Sequence, residues 1–175
     1  MKSLNLSLIR DNIFKLLDYS GLTDLAFANI LDISEKQLRL IKKKKANFNE
    51  DNINRACVFF TVPFSKLNTP EIEIDIHFRS TLSSRHQKNS EFHSILESTP
   101  TITFAIKYSL LADLNFKKYG FSTGEIKKFF SQQGWEYSSR YISLAMARNK
   151  DLIEIVGTKV ERGRLINIYS ARPSG

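Results

Sequence analysis

At 175 residues the chain is long enough for one large or two small domains, and with 42% hydrophobic and 25% charged residues it reads as an ordinary folded protein, not a disordered one. No apolar run reaches the roughly 18 residues of a membrane span, and "MKSLNLSLIRDN" lacks the continuous apolar core of a signal peptide, so a cytoplasmic protein without a membrane partner is expected. The single cysteine, Cys57, excludes an intramolecular disulfide, and the formal charge of +8 favours a polyanionic partner such as nucleic acid.

That charge is uneven. Residues 1–67 carry 11 basic against 7 acidic side chains, residues 68–100 carry 3 against 5, and residues 101–175 carry 12 against 6. Two basic blocks flank a mildly acidic middle, which suggests a domain at each end.

The first block opens with "SLIRDNIFKLLDYSG", where Leu8, Ile9, Ile13, Leu16 and Leu17 recur at helical spacing and Gly21 is a left-handed terminator. Thr23 can cap a second helix through "DLAFANIL". After "DIS" comes "SEKQLRLIKKKK", an amphipathic helix that ends in four lysines. Phe27 and Leu31 mark one buried face, and Ile33, Leu38 and Ile41 the next, with Ala28 where two helices approach closely. Two short helices joined by so tight a turn form a helix-turn-helix arrangement.

These residues, with the "ANFN" turn, a further helix at "EDNINRACVFF" and a closing "PFSKL", resemble the Cro/repressor type of helix-turn-helix, the xenobiotic-response-element family. The resemblance covers about residues 1–67 and implies a five-helix DNA-binding domain. Asp32 stands at the turn position that is usually Gly, and Asp tolerates left-handed backbone better than most residues. Ser34 would cap the recognition helix. On a helical wheel Lys36, Leu40 and Lys43 lie opposite Leu38, with Arg39 beside them. Lys36, Gln37 and Arg39 are the candidates for reading base edges, whereas Lys43 and Lys44, in the lysine run, suit phosphates. Asp24, at the start of the second helix, would face phosphates unfavourably.

Residues 68–100 begin and end in Thr-Pro and read as a linker. "EIEIDIHF" alternates with period two and predicts a short strand, and "SEFHSILES" predicts about two helical turns.

In the last block "TITFAIKYSLLADLNFKKYG" predicts one long amphipathic helix ending at Gly120. "STGEIKKFFSQQG" follows with a capping box at Ser122 and Glu125. "EYSSRYISLAMARNK" predicts a third helix with Ile142, Ala145 and Met146 inward and Leu144 and Ala147 outward. "LIEIVG" and "RLINIYSA", joined across Gly163, predict a two-stranded hairpin. Three helices followed by a basic-tipped hairpin resemble the winged helix-turn-helix superfamily over residues 101–175. The resemblance implies Ser138, Arg140, Tyr141 and Ser143 on the exposed part of a recognition helix, and Lys159, Arg162 and Arg164 on the wing.

Other chemistry has little footing. His77, His86 and His93 show no metal-ligand spacing, so no metal or cofactor is expected. No phosphate-binding Gly-rich loop or nucleophile signature points to an enzyme. Trp135, Phe129 and Phe130 are expected in a core. The expectation is therefore a mainly α, two-domain regulator of the bacterial or phage kind that binds double-stranded DNA. It would use both modules on adjacent grooves, or act as a homodimer on a palindromic site. The alternative is a protein-interaction module whose helix-turn-helix domains no longer read DNA, motivated by Leu40 and Leu144.

Overall fold

The computed structural model describes residues 4–173. The chain divides into two compact units, residues 1–98 and 99–175. Among the described residues it is mainly helical, with one small antiparallel sheet.

The first unit contains α1 (Leu6–Ser20), α2 (Asp24–Leu31), α3 (Glu35–Lys42), α4 (Glu50–Phe60), α5 (Phe64–Leu67), α6 (Phe78–Arg85) and α7 (Ser90–Glu97). Five of these helices start on side-chain caps, and α7 does so on Asn89, which accepts from the Phe92 amide. Asn5 accepts from the Ser7 and Leu8 amides, Thr23 from Ala26, Ser34 from Gln37 and Asn49 from Asn52. Several end on left-handed residues: Gly21 (φ 67°) after α1, Asp32 (φ 56°) after α2 and Thr61 (φ 53°) after α4. Short helices closed at both ends leave their apolar faces to meet in one core. Phe27, Ala28, Leu31, Leu38, Ile41, Phe59 and Phe60 are fully buried there, each large side chain contributing about 1.5–3 kcal/mol. Asn52 reaches back from α4 to donate to the Leu31 carbonyl at 3.3 Å, which ties the α2–α3 turn to the rest.

Residues 68–98 are not a linker. Ile72, Phe78, Leu82 and Leu96 join the same core, so the unit holds seven helices among the described residues: the five expected over residues 1–67, the one expected at "SEFHSILES" as α7, and α6, which was not expected. The predicted strand in "EIEIDIHF" does not form: Ile72 is buried and Ile74 partly so, but no neighbouring strand offers a ladder to pair with. His86 on α6 lies flat against Phe59, ring centroids 5.6 Å apart and 14° from parallel, and its Nε2 lies 2.7 Å from the Phe59 carbonyl. Arg79, also on α6, donates to the Ser20 and Ser98 carbonyls. The mild acidity that set this stretch apart in the sequence is only its solvent-facing side.

The second unit contains α8 (Ile102–Tyr108), a single 3-10 turn (Leu110–Ala112), α9 (Leu114–Tyr119), β1 (Phe121–Ser122), α10 (Thr123–Ser131), α11 (Ser139–Arg148), β2 (Ile153–Glu161) and β3 (Arg164–Ala171). The one long helix expected over residues 101–120 is broken, because Asp113 caps a new helix by accepting from the Phe116 amide at 2.7 Å. The hairpin is present, and β1 adds a third strand to give the order β1-β3-β2, all antiparallel. One residue of β2, Val156, is left out of the ladder between the Ile155–Tyr169 and Gly157–Ile168 pairs, a β-bulge. Ile126, Phe130, Ile142, Ala145, Met146 and Ile153 fill the core, with Trp135 and Phe129 packed on its margin.

Gly120 joins α9 to β1 at φ 69° and ψ 162°, a region open only to glycine. A Cβ there would lie 2.7 Å from Ile168 Cγ2 and 2.8 Å from the Tyr169 carbonyl oxygen, so the residue also lets the chain pass close to β3.

Candidate nucleic-acid interface

In the first unit α3 is held on its inner side by Leu38 and Ile41 and leaves Glu35, Lys36, Arg39 and Lys42 exposed. Ser34 is the N-cap, its Oγ 3.1 Å from the Gln37 amide, so its hydroxyl is already engaged. Gln37 and Leu40 are half-buried, flanking the seam instead of centring the outward face. Arg39 is paired with Glu35 one turn earlier at 3.4 Å. Lys36, Lys43, Lys44 and Lys45 are exposed and carry no ion pair among the described residues.

The lysine run has a defined backbone. Lys45 donates to the Leu40 carbonyl at 2.9 Å and Lys44 to the Ile41 carbonyl at 3.0 Å, the paired bonds of a Schellman terminus. Lys44 occupies the left-handed position at φ 61°, where glycine is usual. The first of the four lysines behaves differently from the rest. Lys42 Nζ sits 2.9 Å and 3.0 Å from the two carboxylate oxygens of Asp24, so the acid at the start of α2 is neutralised within the unit.

In the second unit α10 begins in a capping box. The Ser122 amide donates to Glu125 Oε2 at 2.7 Å while Ser122 Oγ accepts from the Glu125 amide. The Ser122 hydroxyl also donates to Oε2 at 2.7 Å, and these two donors, amide and hydroxyl, hold the Glu125 carboxyl below its ordinary pKa against the opposing cost of burial, with Lys159 adding to the lowering. α11 is capped by Ser138, whose Oγ accepts from the Tyr141 amide at 3.2 Å. Ile142, Ala145 and Met146 bury its inner side, leaving Arg140, Tyr141, Leu144, Ala147 and Arg148 on the outer one.

Two expected contact residues are engaged within the unit. Ser143 Oγ lies 3.2 Å from Thr123 Oγ1, where it joins α11 to α10. Lys159 Nζ lies 3.1 Å from Glu125 Oε2, drawn from the hairpin toward the first turn of α10. The spacing along strand and helix does not contain either contact, since each joins residues far apart in the chain. Arg148, which the sequence reading passed over, shares the outer stripe with Arg140 and Leu144 at i+8 and i+4 and has no ion pair among the described residues. The helical repeat alone would have located it.

At the hairpin tip Arg162 (φ 51°) and Gly163 (φ 75°) make a two-residue turn between the paired Glu161 and Arg164. Positive φ at both central residues is the type I′ pattern, which favours Asn or Gly at the first position. Arg162 and Arg164 are exposed. One cleft is lined by Met146 and Ala147 of α11 and by Ile155 and Asn167 of the hairpin, so both elements border the same side of the unit.

No protein-family model, curated protein or solved structure matches the chain. Among the described residues no group of three His, Cys, Asp or Glu side chains is placed to hold a metal ion, and no helix is long and apolar enough to cross a membrane.

Proposed function

We propose that the protein is a DNA-binding regulator whose two units each present a helix-turn-helix, the first of the Cro/repressor kind and the second winged. One observation carries this reading: α3 and α11 are both N-capped helices packed by one face, with unpaired cations on the other. A helix so mounted can enter a major groove about 12 Å wide, its basic side chains neutralising phosphates or bonding base edges. Lys36, Lys43 and Lys44 serve the first unit. Arg140 and Arg148 on α11, with Arg162 and Arg164 on the wing, serve the second. Ser34 and Ser138 act as caps that fix where the helices begin, and Lys42 keeps Asp24 from repelling the backbone.

Selection from a random duplex pool, followed by a salt series on the retained species, tests the proposal. An enriched motif together with binding that weakens steeply with salt is the expected result. Absence of duplex binding at low salt overturns it.

A second reading rests on a separate observation. Leu144 is 44% exposed at the middle of the outer face of α11, and Ile155, Val160 and Leu165 on the hairpin are 58–72% exposed. Apolar residues so placed also suit a protein partner, including a second copy of the chain. Under that reading Leu144→Ala dissociates an oligomer in sedimentation velocity, and under the first it leaves the mass unchanged.

A further inference from the structure

Between the end of α11 and the base of the hairpin, the second unit carries a cleft of about 560 Å³. Its apolar lining comes from Met146 and Ala147 of α11 and from Ile153 and Ile155 of β2. Met146 and Ile153 are closed off by the core behind them, whereas Ile155 is left 58% exposed. The polar lining is Lys150, Glu154, Asn167, Tyr169 and Arg172. Among the described residues none of these side chains takes part in a hydrogen bond or an ion pair. Their neighbours behave differently: Lys159 meets Glu125, and the Ser170 hydroxyl donates to the Phe116 carbonyl.

The bulge in β2 decides which side chains share the face of Ile155. Residues directly opposite in a ladder lie on one face of the sheet, so the pairs Ile155–Tyr169 and Thr158–Asn167 stand on the same side. In an unbroken strand that face would run on from Ile155 to Gly157 and Lys159. The extra residue, Val156, shifts the alternation, and Lys159 falls on the other face, where it meets Glu125. An apolar side chain, an aromatic ring and a carboxamide are thereby left together without a strand charge among them. The charge of the cleft comes from its ends. Lys150 follows α11 and Arg172 follows β3, and with Glu154 they leave the lining one net positive charge. Unpaired cations beside unburied apolar surface select a ligand that is both apolar and acidic, and a single net charge matches a monoanion. The volume falls within the roughly 300–1,000 Å³ of small-molecule sites.

We propose that this cleft is a binding site for a small organic monoanion with a flat apolar body, of the aromatic carboxylate class. The body lies against Ala147, Ile155 and Tyr169, displacing water from exposed apolar surface. Tyr169 supplies a ring and Met146 a polarisable sulfur, and both favour an aromatic occupant over an aliphatic one. The carboxylate takes charge-assisted hydrogen bonds from Lys150 and Arg172, with the Tyr169 hydroxyl and the Asn167 amide as further donors. The site does not rest on the DNA-binding reading, because neither Lys150 nor Arg172 serves there and its occupancy is measured without a duplex.

Titration of the full chain with 2-naphthoate, followed in amide correlation spectra, tests the site. Saturable shifts clustered at Ala147, Ile155, Asn167 and Tyr169 are expected. 2-Naphthamide carries the same rings without the charge, and it is expected to bind at least about tenfold more weakly. The double change Lys150→Gln with Arg172→Gln is expected to bring the acid down to the affinity of the amide while leaving the amide where it was. Both side chains are exposed, so the variant keeps the wild-type spectrum away from the cleft. Ile155→Glu, also at an exposed position, sets a carboxylate in the apolar wall and is expected to abolish binding of the acid. Any one of three results overturns the proposal: no saturable shift at low-millimolar naphthoate, equal affinity for acid and amide in the wild type, or shifts centred instead on the apolar cleft of the first unit at Leu6, Phe48 and Phe64. Undiminished binding of the acid by the double variant overturns it as well.

Discussion

Lys44 sits where glycine is at ease, in a left-handed position that costs a side-chain-bearing residue about 1–2 kcal/mol. Part of that cost returns when glycine brings its larger unfolded-state entropy, so Lys44→Gly is expected to stabilise the protein by about 0.5–1 kcal/mol in urea denaturation. If the lysine contacts phosphate, the same variant binds duplex more weakly and its salt slope falls by about one. A more stable protein that binds less well would mark Lys44 as a residue kept for its charge. Asp24 gives the converse test. Its pair with Lys42 is exposed, so Asp24→Ala is expected to shift stability by less than about 1 kcal/mol while raising duplex affinity, because a carboxylate leaves and a cation is released. Gly120→Ala acts on conformation and on packing at once. With a forbidden conformation and a Cβ pressed on the Tyr169 carbonyl, it is expected to cost roughly 3 kcal/mol in denaturant melts.

At the scale of elements, the first turn of α10 links stability to pH. The folded Glu125 carboxyl is held below its ordinary value of 4.5, so the unfolded chain binds its proton first as acid is added. The stabilisation is present above pH 4.5 and is lost as pH falls through the lower folded value. Glu125→Gln is expected to remove this part of the acid sensitivity, seen as a smaller drop in the urea midpoint between neutral pH and pH 3 than the wild type shows. Elements like this one were legible before any coordinates, because a cap such as Ser34 or Ser122 acts within three residues and leaves a local mark. The inward turn of Ile142, Ala145 and Met146 was legible for a similar reason, since the helical repeat declares it. What the repeat hides is tertiary. Nothing near His86 announces that its ring will lie on Phe59, so α6 and α7 read as a linker when they are core. A two-residue strand such as β1 has no period at all and exists only because β3 lies alongside. Lys159 read as a wing contact because its strand was visible and Glu125, 34 positions earlier, was not a neighbour on paper.

Across the whole molecule, assigning residues 68–98 to the first unit redistributes the charge. Residues 1–98 carry 14 basic and 12 acidic side chains, and residues 99–175 carry 12 and 6, so most of the +8 resides in the second unit. Long-range attraction to a polyanion follows the net charge of a unit, whereas the first unit depends on the local lysines that end α3. The paired change Arg140→Ala with Arg162→Ala is therefore expected to lose more duplex affinity than Lys36→Ala with Lys43→Ala, each lowering the salt slope by about two, as a titration across ionic strength would show. The seam between the units has a further consequence, for digestion by proteases. Junctions between folded units are usually cut first, because a protease needs several extended, unbonded residues to seat the chain in its cleft. Here Arg79 donates to the Ser98 carbonyl and the Tyr137 hydroxyl to the Pro100 carbonyl, and a buried proline follows the exposed Ser98 and Thr99, so the boundary resists. Limited digestion should instead open the exposed polar turn at Gln87–Asn89 and yield fragments that divide the first unit, and a map of cut sites taken alone would place the boundary about ten residues too early.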